Sequence, residues 1–114
     1  MIIFKKRDKS KESFNEFLNH ISNIADSFML KQSKKTGISY TGGDCVIAIP
    51  SGKSKIVTTI GIYGVKKNDK WKKSTLVLQR PLKSFSADEE TQAKLEEIKN
   101  TPLKFKVAPP DREV

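Results

Sequence analysis

Apolar side chains recur at intervals of three and four along the first third of the chain: Phe14, Phe17, Leu18, Ile21, Ile24, Ala25 and Phe28. That spacing places them on one face of an α-helix, with polar residues around the rest of its circumference. Ser10 or Ser13 can cap its start, and Ser13 with Glu16 fits a capping box. At the other end Lys31, Lys34 and Lys35 suit the negative pole of the helix dipole, and Gly37 can take the positive φ that ends a helix. Before this element, Ile2, Ile3 and Phe4 form a short apolar run that either adds an edge strand or frays.

The pattern then changes period. In residues 38–50, ISYTGGDCVIAIP, β-formers dominate, and Gly42 and Gly43 interrupt them as a bulge or tight bend would. SGKS at 51–54 reads as a turn. From Lys55, Ile56, Thr58, Ile60 and Ile62 alternate with Val57, Thr59, Gly61, Tyr63 and Val65, the signature of a strand with two distinct faces. A further strand over 71–80 places Leu76 and Leu78 on one side and Trp71, Thr75 and Val77 on the other. A hairpin turning about Asn68 sets Ile60 opposite Leu76 and Val65 opposite Trp71.

Pro81 ends that strand. Residues 84–100 predict a second, less apolar helix, with Ser86 and Glu89 as a capping box, Asp88, Glu89 and Glu90 at its positive end, and Ala87, Thr91, Leu95 and Ile98 facing inward. Asn100 and Pro102 stop it, and LKFKV at 103–107 alternates as a final strand with Leu103, Phe105 and Val107 inward. The expected fold class is α+β: an N-terminal amphipathic helix, three antiparallel strands, a second helix and a final strand. The sheet is expected to be either curved and open or an OB-like, partly open barrel. Residues 1–9 read as a basic N-terminal arm, 10–108 as one α+β domain, and 109–114 as a flexible tail.

Composition narrows the class. With 114 residues, 36% hydrophobic and 31% charged, the chain has room for one modest core. No apolar run approaches the ~18 residues of a membrane span, and the basic KKRDKSK that follows MIIF leaves no signal-peptide core. The polar face of the first helix carries Glu12, Glu16 and Asp26 but no lysine over 12–28, which argues against a helix lying on anionic lipid. One cysteine, Cys45, allows no internal disulfide, so a cytoplasmic location is expected.

Charge changes the picture further. The net charge is +9, and lysine supplies most of it, since only Arg7, Arg80 and Arg112 are arginines. A lysine-biased composition alone produces basic chains, but here the charge is uneven. Residues 53–73 hold seven lysines and a single aspartate, whereas 86–99 are acidic on balance. An uneven distribution gives the surface field a direction.

Motifs that could carry catalysis are incomplete. A phosphate-binding loop needs a glycine five residues before Gly52 and a helix after Ser54; position 47 is Ile47, and a strand follows. His20 is the lone histidine and falls just off the apolar face of its helix, as a surface side chain would. Cys45, within DCVIAIP, reads as a small buried hydrophobe. The glutamates of the second helix read as a solvated face. No catalytic residue, metal site or cofactor is expected, and the chain is expected not to be an enzyme.

What remains is YGVKKNDKWKK, residues 63–73. Binding a single strand takes positive charge for the phosphates and aromatic faces for the bases. Tyr63 and Trp71 offer the aromatics; Lys66, Lys67, Lys70, Lys72 and Lys73, with Lys53 and Lys55, offer the charge. A competing reading makes Tyr63 and Trp71 a cross-strand pair and the lysines guards against edge-to-edge aggregation. Arg80, Lys83, Lys5, Lys6 and Arg7 are possible outriggers. Scarce arginine favours backbone tracking over duplex base reading. The expected function is therefore non-catalytic nucleic-acid binding, of single-stranded DNA or RNA, with little sequence specificity. The alternative is a small basic interaction module, an inhibitor or adaptor of phage or mobile-element type, docking an acidic protein surface. A homo-oligomer is compatible with either, and no membrane partner is expected.

Overall fold

The computed structural model describes residues 11–65 and 71–108, apart from the side chains of Val65 and Trp71. The apolar run at Ile2–Phe4, the basic arm and the tail from 109 lie outside the described residues. The first helix, α1, runs Phe14–Thr36. Ser13 caps it, its hydroxyl accepting from the Glu16 amide at 3.2 Å, and Gly37 closes it at φ 70° with its amide on the Ser33 carbonyl. Phe14, Phe17, Ile21 and Ala25 are buried, as the spacing predicts, and Met29 extends the stripe by one more turn.

Four strands follow: β1 (Ser39–Ala48), β2 (Lys55–Val65), β3 (Trp71–Pro81) and β4 (Leu103–Val107). They form one antiparallel sheet in the order β3-β2-β1-β4. The β2–β3 register sets Ile60 opposite Leu76 and Val65 opposite Trp71, the pairing expected of a turn about Asn68. The ladder between β1 and β2 slips between Tyr40 and Gly42, a bulge that leaves Thr41 as the extra residue, and Gly42 beside it takes φ 138°. SGKS is a turn, with the Lys53 amide on the Pro50 carbonyl and Gly52 at φ 75°. Because β3 and β4 stand at opposite edges, the sheet is open, and the OB-like barrel is not formed.

The second helix, α2, spans Glu89–Asn100 and begins later than its sequence pattern predicts. Its cap is Asp88 instead of Ser86: the Asp88 carboxylate accepts from the Thr91 amide at 3.0 Å, while the Ser86 hydroxyl donates to Asp88 from outside the helix. The Ser86 bond first, and the Thr91 amide second, hold the Asp88 carboxyl below its ordinary pKa of 3.8. Ala87 consequently stays exposed, and the inward stripe is Thr91, Leu95 and Ile98.

Both helices pack against one face of the sheet. Cys45, Ile47, Ile56, Ile60 and Ile62 point to that side with no accessible surface, each isoleucine contributing ~1.5–3 kcal/mol of burial. Phe17 meets Phe85 edge-on at 5.1 Å. A short parallel bridge of Glu12 with Phe85 ties the chain entering α1 to the chain leaving β3.

Candidate nucleic-acid interface

A strand sends successive side chains to opposite faces of its sheet. Since α1 and α2 share one side, the alternate residues of every strand point away from both. On that opposite face Asp44, Lys73, Val77, Lys104 and Lys106 are exposed and Tyr63 is half-exposed, and no described element packs over them. The same LKFKV alternation that turns the partly buried Leu103 and Phe105 toward the core delivers Lys104 and Lys106 to this open face.

At one end of the open face the residues form a checkerboard. Tyr63 stands opposite Gly42 on β1 and Lys73 on β3; Asp44 stands opposite Gly61 on β2 and Lys106 on β4. Glycine at two of the four β1–β2 positions leaves room for the other two side chains to lean together. The Tyr63 hydroxyl donates to Asp44 Oδ2 at 3.1 Å. The ammonium of Lys73 lies 5.5 Å from the Tyr63 ring centroid, and its chain crosses the gap above Gly61, with Cε 3.1 Å from where a β-carbon would stand. Thr41, Gly42, Gly43, Asp44, Tyr63 and Lys106 surround a shallow cavity of ~380 Å³, within the ~300–1,000 Å³ of ligand-sized sites.

The structure divides the basic residues that sequence reading grouped together. Tyr63 and Lys73 are paired on the open face. Lys72, one position along, is exposed but stands opposite Gly64, so its parity is that of the helix side. Lys55 shares the open face, bonded to Gln79 at 2.7 Å, yet it begins β2 while Tyr63 lies eight positions on, ~26 Å away along the strand. Lys53 sits in the turn beyond it. Lys66, Lys67, Lys70 and the Trp71 side chain lie outside the described residues, as do Lys5, Lys6 and Arg7. Arg80 pairs with Glu12 at 3.3 Å and lies over the Phe85 ring, bracing the bridge below α1. Lys83 is exposed in the short 3-10 turn Leu82–Ser84.

Asp44, Lys104 and Lys106 were not among the residues singled out by sequence. The signal was present: counting by twos from the inward Cys45 and Phe105 puts all three outward. Comparison with known proteins adds nothing to this geometry. No protein-family profile, curated protein or solved structure matches the chain.

Elsewhere, His20 is exposed and borders a shallow groove of ~390 Å³ between α1 and β3, with Ile24, Phe28 and Leu76. Cys45 is fully buried, and burial pushes its thiol up to about 11. Among the described residues, no three His, Cys, Asp or Glu side chains are grouped to hold a metal ion, and no helix is long and apolar enough to cross a membrane.

Proposed function

We propose that the protein is a non-catalytic binding module for single-stranded nucleic acid, held on the open face of its sheet. One observation carries this reading: Tyr63, beside Lys73, shares with Lys104 and Lys106 a sheet face that no described element covers. An uncovered face with a partly exposed ring suits an unpaired base, and the lysines suit the phosphates of the strand.

Magnitudes favour opening the Tyr63–Lys73 contact. A cation over an exposed ring is worth ~0.5–1 kcal/mol, whereas a stacked base is worth ~1–3 kcal/mol. A base therefore displaces the ammonium, which is then free to meet a phosphate. The charge leaves the ring and stays in the site.

Titration of a labelled oligothymidine at several salt concentrations tests the reading. Replacing Lys73, Lys104 and Lys106 by Ser removes three cations and should flatten the log–log salt slope by about 2, at ~0.7 per phosphate contact on a single strand. Equal affinity and slope in the variant would remove the open face as the site. Failure of the unmodified protein to bind the oligomer, together with capture of an acidic protein that survives nuclease, would replace the reading with the protein-docking one.

A further inference from the structure

Asp44 is out of place on a face meant for phosphates. It is exposed, carries the opposite charge to the lysines around it, and repels a polyanion unless it receives hydrogen bonds in return. An ionised carboxylate only accepts. On a DNA strand the groups that donate without bringing negative charge are the edges of the bases; RNA adds its 2′-hydroxyls, which are the same on every nucleotide and select none.

The four bases differ in what they offer a carboxylate. Guanine presents two neighbouring donors, N1–H and N2–H, on its pairing edge. Adenine and cytosine set a ring acceptor beside their amino group, and thymine flanks its one N–H with carbonyls. A carboxylate therefore takes guanine in a two-bond fork and meets an acceptor on each of the others. Past N1–H on the same edge lies the O6 acceptor, which calls for a donor beside the carboxylate.

The open face supplies these groups in one place. Asp44 Oδ2 is steadied by the Tyr63 hydroxyl at 3.1 Å, which leaves the remaining carboxylate lone pairs to a ligand. Lys106 stands opposite Asp44 on β4, on the same face. Gly42, opposite Tyr63, leaves the cavity floor without a side chain. We propose that Asp44, Tyr63 and Lys106 form a guanine-selective subsite, an inference that rests on the strand-binding reading above. An unpaired guanine lies against the Tyr63 ring, donates N1–H and N2–H to Asp44, and accepts at O6 from Lys106. The lysines bind any strand; Asp44 sets the register on it.

The test uses three labelled oligothymidines: one plain, one with a single central deoxyguanosine, one with deoxyinosine there, which lacks the N2 amino group. The full chain should bind the guanine probe about 5- to 100-fold more tightly than the plain one, the range of one good two-bond base contact, with inosine between. In Asp44→Asn, which keeps shape but loses an acceptor, and in Asp44→Ala, the guanine preference should collapse while plain oligothymidine binds as well or better. Equal affinity of the unmodified protein for all three probes overturns the subsite and leaves strand binding standing. So does an Asp44→Ala variant that gains equally on every probe, since Asp44 then only repels phosphate. Absence of binding to any probe overturns the strand-binding reading, and the subsite with it.

Discussion

The backbone amide of Phe14, the first residue of α1, donates to the hydroxyl of Thr91 in α2 at 3.0 Å, both buried, across 77 residues of chain. A helix's first amides have no partner within the helix, and one buried in a core must find it elsewhere. Here α2 supplies it. Thr91→Val keeps the shape and leaves that amide unpaired, at a cost of ~1–3 kcal/mol. Thr91→Ser keeps the bond and loses one methyl group, roughly 0.8 kcal/mol. Urea unfolding should therefore place the Val variant below the Ser variant, the reverse of the order that hydrophobicity predicts. Val above Ser would mean that packing alone holds Thr91.

Two glycines of the checkerboard region should respond differently to a methyl group. A β-carbon on Gly43 would stand 1.9 Å from the Gly61 carbonyl oxygen, where only backbone movement makes space. On Gly61 it meets the flexible end of Lys73 at 3.1 Å. Gly43→Ala should cost ~3 kcal/mol or more, at or beyond the upper end of overpacking penalties, and Gly61→Ala much less. Thermal unfolding of the two variants decides it; similar losses would mean that the β1–β2 backbone at Gly43 yields more easily than its geometry indicates.

The contrast between these positions also explains what sequence could reveal. Strict alternation in β2 and β4 fixes which residues are buried, so the hairpin register, the final strand and the core face were all legible. The cap of α2 was not, because Ser86 and Asp88 each satisfy a capping rule, and the choice of Asp88, whose carboxylate takes the Thr91 amide, shows only in the folded geometry. The site was legible in part. A run of lysines reads as one patch along the chain, but a strand sends neighbours to opposite faces and its two ends far apart, which separates Lys72 from Lys73 and Lys55 from Tyr63. Asp44 and Lys106 join Tyr63 only through strand order, and that depends on β4 crossing back to lie beside β1.

Cys45 should report on the core through pH. Its folded pKa of about 11 lies above the ordinary 9.0 because burial disfavours the thiolate. Above pH 9 the unfolded chain has released this proton and the folded chain has not, so unfolding gains relative to folding. The thiol's contribution is thus complete below pH 9 and lost as pH rises toward 11. Lysines titrate in the same window, so the measurement is the difference from Cys45→Ala, which shares all of them. The unmodified protein should lose more stability than the variant between pH 9 and 11, and its thiol should resist alkylation at neutral pH until the chain is unfolded. Parallel pH curves, or rapid labelling of the folded chain, would place Cys45 in contact with solvent.

Tyr63 separates the two sources of affinity proposed for the open face. Its ring offers stacking, and its hydroxyl steadies Asp44. Tyr63→Phe removes the hydroxyl alone and should bind plain oligothymidine much as the unmodified protein does, because that probe gives Asp44 no fork of donors. Tyr63→Ser removes the ring and should weaken the same complex about 5- to 100-fold, the equivalent of ~1–3 kcal/mol for one lost stack. The salt slope should change little in either variant, since no phosphate contact is lost. A ring that served only to pack across the β2–β3 ladder with Lys73 would give a different result: Tyr63→Ser would lower the unfolding temperature and leave oligothymidine affinity in place. Measuring affinity, salt slope and unfolding temperature on the same three proteins distinguishes a stacking platform from a cross-strand pair.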